Sequence, residues 1–201
     1  MGTETAGPSK LTAEEFLEWA ARPENAERRC ELENGEIINV PPPKQLLHGI
    51  YCWLVTKILT EYILRRGTGY MCINDTGIIV QRNPDTVRGA DAILFLQAKT
   101  QGQIKPGYIE DIPNLIVEVL SPEDRPGKTN RRIEQYLRRG IPLVWVIDPE
   151  ERIVTVYKPN EFHKVLDETD QLTGNGVLPE FSCRVADLFI IPGQQSATPN
   201  P

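Results

Sequence analysis

Asn114-Leu-Ile-Val-Glu-Val-Leu120 is an almost unbroken apolar run with a single carboxylate inside it. A run of strand length rich in β-branched residues reads as a strand buried on both faces in the middle of a mixed sheet. Side chains alternate along a strand, so Leu115, Val117 and Val119 share one face and Ile116, Glu118 and Leu120 the other. Glu118 is the anomaly, because an ionised carboxylate buried there must be paired, protonated or bound to a cation. Two readings stay open: a structural ion pair with a nearby arginine, or a ligand for a metal ion.

Upstream, VRGADAILFL (87–96) brings a second acid, Asp91, at the mouth of a β-rich run. Taken alone, Asp91 is a turn residue at a strand start. Taken with Glu118, it makes a pair of carboxylates on adjacent strands, which can converge on a hard divalent ion such as Mg²⁺. Downstream, RPGKTNRRIEQYLRR (125–139) holds Arg125, Lys128, Arg131, Arg132, Arg138 and Arg139 against one acid, Glu134. The spacing predicts a basic helix over 129–139, capped by Thr129 and stopped by Gly140. Arg132 lies one turn before Tyr136 on the same face, so it can point back to the sheet as an electrostatic clamp on phosphate. Arg138 and Arg139 read as solvated helix surface.

The remaining elements follow outward. Thr12 and Glu15 have capping-box spacing ahead of AEEFLEWAA (13–21), which predicts a short amphipathic helix. RRCELENGEIINV (28–40) reads as a hairpin about Asn34-Gly35. PPP (41–43) forces an extended segment, and from His48 apolar residues recur at helical spacing as far as Gly67. GYMCI (69–73), GIIVQ (77–81) and ADAILFL (90–96) read as separate short strands, and 97–113 as a polar loop. LVWVID (143–148) and RIVTVYK (152–158) give two more strands, with Asp148 in the turn between them. Strand signals weaken beyond Pro159.

The chain of 201 residues carries a net charge of −6, so nucleic acid can approach only where basic residues are locally concentrated. Its size suits one domain, expected over 11–190, after a flexible leader (1–10) and before a disordered tail (191–201). No apolar run reaches membrane-spanning length and the first residues lack a secretory pattern, which predicts a cytoplasmic protein without membrane partners. Cys30, Cys52, Cys72 and Cys183 are too far apart for the spacing of a zinc motif, and read as reduced residues, mostly in the core.

In the order ELENGEI, PPP then His48, VRGADAILF, PNLIVEVLSP, a basic helix with Tyr136, and IPLVWVIDP, the chain resembles the Uma family, classed with restriction endonucleases in the PD-(D/E)xK nuclease-like superfamily. The resemblance spans about residues 11–160. It implies an α/β fold with a central mixed β-sheet flanked by α-helices, and a Mg²⁺- or Mn²⁺-dependent endonuclease acting on DNA. It also implies metal ligands at Asp91, Glu118 and the backbone carbonyl of Val119, with supporting polar positions at Glu31 and His48. Two positions depart from the pattern: Ala90 replaces the proline before the first acid, and Leu120 the lysine two residues after Glu118. Related sequences take their lysine from the following helix, at the position of Arg132, and Lys128 can stand in for it. A homodimer would suit two-strand cutting. The missing lysine leaves a second reading open, a non-catalytic relative that binds nucleic acid or protein.

Overall fold

The computed structural model describes residues 10–41 and 45–193. The expectations for the leader, the tail and the proline run fall largely outside these residues. Eight strands form one sheet: β1 (Cys30–Glu33), β2 (Glu36–Asn39), β3 (Tyr70–Gln81), β4 (Thr86–Phe95), β5 (Leu115–Val119), β6 (Val144–Asp148), β7 (Ile153–Tyr157) and β8 (Lys164–Leu166). Their order is β2-β1-β4-β5-β6-β7-β8, with β3 also on β4. Among these eight strands only β5 and β6 pair in parallel, joined by the crossover helix α3 (Pro126–Arg139). The sheet is therefore mixed, and β5 lies inside it.

The alternation read in 114–120 sets the two layers. Leu115, Val117 and Val119 pack against Val55, Leu59 and Tyr62 of α2 (Leu46–Arg66), and against Leu172 and Phe181 of a ribbon made by β9 (Gln171–Thr173) and β10 (Ser182–Arg184). Ile116 faces the other way, into a cluster with Tyr136, Ile141 and Val144 beneath α3. Glu118, two residues on, therefore emerges under α3. No helix among the described residues is long and apolar enough to cross a membrane.

The first helix, α1 (Ala13–Ala20), begins on the expected capping box, with Thr12 Oγ1 accepting from the Glu15 amide and Glu15 Oε2 from the Thr12 amide. The hairpin turn places Asn34 and Gly35 at φ 51° and 78°. Gly35 also meets a neighbour, since a Cβ there would lie 2.5 Å from Cβ of Lys10. Asp85, in the β3–β4 turn, fastens α1 to the sheet by accepting from the Ala13 amide at 2.8 Å. Burial works to raise the pKa of Asp85, but the Ala13 and Asn83 amides and Arg82 outweigh it and hold the carboxyl below its ordinary range. A group with a lowered folded pKa stabilises the fold above its unfolded pKa and loses that contribution as pH falls through its folded value. We expect Asp85→Asn to be less stable than wild type at pH 7 in urea melts, with the gap narrowing once the pH drops below about 4. A gap of constant size across that range would show that the charge of Asp85 has no part in it.

Four expectations need correction. The runs 69–73 and 77–81 are one strand, β3, because Asn74 and Asp75 adopt positive φ (62° and 54°) in an irregularity that bends the strand without ending it. These are residue types that also signal turns. β4 begins at Thr86, so Asp91 is mid-strand rather than at a strand mouth. Helix α3 starts a turn early, at Pro126 in the first helical position after Arg125, and Thr129 lies inside it with Oγ1 directed to the Arg125 carbonyl. Arg138 is exposed beside Glu134, as expected of helix surface, whereas Arg139 donates to the carbonyls of Ile79 and Glu110 and ties α3 to β3.

Candidate active site at a fork in the sheet

One edge of β4 carries two different strands. β1 meets it at Val87, through Leu32, and β5 meets it at residues 92–94. Between these patches the two strands diverge, and among the described residues no strand covers that edge of β4 at 88–91. Buried backbone groups left without a ladder need other partners. Side chains supply them: the Gly89 amide donates to Glu31 Oε1 at 3.0 Å, and the Gly89 carbonyl accepts from Arg132 Nη1 at 2.6 Å. Across the fork, the Val119 amide donates to Asp91 Oδ2 at 2.7 Å. Gly89 has no room for a side chain, since a Cβ would lie 2.8 Å from the Asp75 carbonyl oxygen.

The in-out alternation of β4 also changes here. Ala90 packs in the cluster under α3 while Ala92 packs in the cluster under α2, so successive even positions lie on opposite faces around Asp91. Ala90, standing where the resemblance has proline, is fully buried.

Charges converge on the fork from four elements. From α3, Arg132 Nη1 lies 3.1 Å from Glu31 Oε1 and 3.5 Å from Glu118 Oε1, and the Tyr136 hydroxyl donates to Glu118 Oε1 at 2.5 Å. Arg88 of β4, 6% exposed, gives Nη1 to Glu31 at 2.9 Å, Nη2 to Glu33 at 3.0 Å and Nε to Gln135 at 2.9 Å. Burial drives the Glu118 carboxyl up to about 7, and Asp91 and Glu31 add to the rise against the pull of Arg132 and the Tyr136 hydroxyl. His48, near the start of α2, sets Nε2 3.0 Å from the Val119 carbonyl and 3.5 Å from Asp91 Oδ1. That carbonyl, implied as a metal ligand by the resemblance, lies here within hydrogen-bond reach of His48 Nε2, whose role depends on the tautomer of the ring.

All of these except Tyr136 and Gln135 line a cleft of about 690 Å³ that also takes in Arg28, Arg125, Lys128 and Arg131 at its walls. The structure thus brings together Asp91, Glu118, Arg132, Glu31, His48 and Lys128. Sequence reasoning did not single out Arg88, which is hidden in a strand, or Cys52, although Cys52 follows His48 by four residues and so shares its helix face. Asp148 holds its turn, Oδ1 accepting from the Glu150 and Glu151 amides. The four cysteines are free and half-buried.

A mixed sheet between helices, forked so that acids and an arginine meet in an open cleft, defines a restriction endonuclease-like α/β domain. The family described as "Uma2: Putative restriction endonuclease" matches residues 13–186, and the chain belongs to that family. Its fold is similar to that of the crystal structure of "a putative nuclease belonging to DUF820 from Anabaena variabilis ATCC 29413", with a TM-score of 0.71 and 23% identity over 89% of this chain and 97% of that one. No curated protein matches the chain.

Proposed function

We propose that the protein is a divalent-cation-dependent endonuclease that hydrolyses phosphodiester bonds in DNA, with Asp91 and Glu118 as its metal-holding carboxylates. The observation that carries this reading is the convergence of the two acids on one open cleft, at the gap where β1 and β5 part. Their oxygen donors suit Mg²⁺ or Mn²⁺, and a carboxyl driven up to about 7 by burial is one that a cation would hold ionised. When bound, the ion supplies Lewis-acid charge to phosphate oxygens and lowers the pKa of water.

The chain's own residues divide the remaining work. Arg132 and the Tyr136 hydroxyl fix the Glu118 carboxylate. The Val119 amide fixes Asp91. Lys128, exposed on the cleft wall, has the reach to steady a phosphate, in the place of the lysine that Leu120 has replaced. Arg28, Arg125 and Arg131 add cationic side chains to the cleft walls, where basic and acidic residues are equal in number, so the approach of a polyanion depends on these side chains and on the charge of a bound cation. Supercoiled plasmid and single-stranded DNA incubated with the protein and Mg²⁺, Mn²⁺ or EDTA should show cleavage only with metal. Glu118→Gln should abolish it, and metal-dependent cleavage that persists undiminished in that variant would overturn the assignment of Glu118.

Tyr136→Phe removes one hydroxyl and leaves the packing of the ring. A hydrogen bond to a charged group contributes about 1.5–3 kcal/mol, so a tenfold to hundredfold fall in cleavage rate is expected, with circular dichroism unchanged. Full activity in Tyr136→Phe would mean that Glu118 does not depend on this bond. The replacement of lysine by Leu120 favours a second reading, a fold kept for binding without cleavage, and that reading predicts no rise in melting temperature with Mg²⁺ or Mn²⁺.

A further inference from the structure

His48 and Cys52 stand one turn apart on α2, and both reach the side of Asp91 that faces the helix. The three residues each present a donor atom, imidazole nitrogen, sulfur and carboxylate oxygen, and these lie within 4.8 Å of one another. His48 Nε2 is 3.5 Å from Asp91 Oδ1 and 3.8 Å from Cys52 Sγ. Ligands at 2.0–2.3 Å in a tetrahedron are separated by about 3.3–3.8 Å. With the ring proton on Nδ1, Nε2 presents its lone pair, and its distances to the other two donors already fall in that range. A fourth neighbour is at hand, the Val119 carbonyl oxygen 3.0 Å from Nε2. The Asp91 carboxylate is oriented through its other oxygen by the Val119 amide, the kind of outer support that holds a metal ligand in place.

We propose that His48, Cys52 and Asp91 form a cation site of their own, selective for a borderline transition-metal ion such as Zn²⁺ or Co²⁺ over Mg²⁺. The donor chemistry decides the selectivity. Mg²⁺ takes oxygen ligands in octahedral array, whereas thiolate and imidazole favour the later first-row ions. The Cys52 side chain is a free thiol and carries its S–H proton in the absence of an ion. Binding therefore releases that proton to solvent as the sulfur–metal bond forms, which a soft-accepting cation drives and Mg²⁺ does not. The site stands apart from the nuclease reading. It shares Asp91 with the proposed Mg²⁺ pair but makes no use of Glu118.

The test is a titration of tag-free, full-length protein with Co²⁺, followed by absorption. Expected are a sulfur-to-cobalt charge-transfer band in the near ultraviolet that saturates at one ion per chain, and its loss on addition of Zn²⁺ but not of excess Mg²⁺. Cys52→Ser should remove the band and weaken Co²⁺ binding by more than the tenfold to hundredfold that loss of an outer-shell partner causes. Glu118→Gln should retain both, which separates this site from the proposed catalytic pair even if no DNA is ever cleaved. A wild-type spectrum without the charge-transfer band, or a band that survives in Cys52→Ser, would overturn the proposal.

Discussion

Asp91→Asn is expected to lower metal-dependent DNA cleavage at least about a thousandfold while the protein stays folded. The size follows from the role: a cation at the reacting phosphate supplies several kcal/mol of charge stabilisation, and each 1.36 kcal/mol is a factor of ten in rate. Asparagine is chosen because Asp91 has two duties. Its Oδ2 accepts the Val119 amide across the fork, and alanine would leave that amide without a partner at a cost of about 1–3 kcal/mol of stability. The asparagine carbonyl can keep that bond while the charge that would hold the ion is gone. Stability within about 1 kcal/mol of wild type in urea melts, together with lost cleavage, is the expected pair of results. Cleavage within tenfold of wild type would remove Asp91 from the proposed machinery.

Arg88→Met should have the largest effect on stability. All three guanidinium nitrogens of Arg88 are engaged, by Glu31, Glu33 and Gln135, at a site 6% exposed. Removing one partner of a buried ion pair leaves the other uncompensated and destabilises by about 3–5 kcal/mol. In a domain of this size that is a fall in Tm of roughly 6–20 °C, readable by calorimetry. The charge argument makes a further demand. Adding Glu31→Gln neutralises one of the stranded acids, so the double variant should be less destabilised than the two single losses added together. Simple additivity would point to lost packing around the arginine stem instead.

Much of this architecture was legible in the chain. The alternation in 114–120 separates the two core clusters and puts Glu118 under α3, and the Thr12–Glu15 and Asn34-Gly35 signals mark true element boundaries. What escaped depends on tertiary contacts. Asn74 and Asp75 look like a chain reversal, yet pairing with β4 on both sides carries the strand through them. Thr129 looks like a cap, but Pro126, preset for the first helical turn, starts the helix sooner. Arg88 gives no local sign of burial, because its three partners come from β1 and α3. Arg132 was expected to turn towards the sheet and does. Its hold on the Gly89 carbonyl could not be foreseen, since nothing local announces that β1 and β5 part at this point.

The divergence of β1 and β5 also turns two main-chain amides into reporters. Elsewhere in the sheet an amide proton is shielded from solvent exchange by the neighbouring strand, and it is released when that strand opens. At Gly89 and Val119 the shield is a carboxylate, Glu31 or Asp91. Whatever draws either carboxylate away frees that proton without parting any strands. Hydrogen exchange at these two positions would therefore follow the state of the cleft, while the amides of β5 that pair with β6 follow the folding of the whole domain.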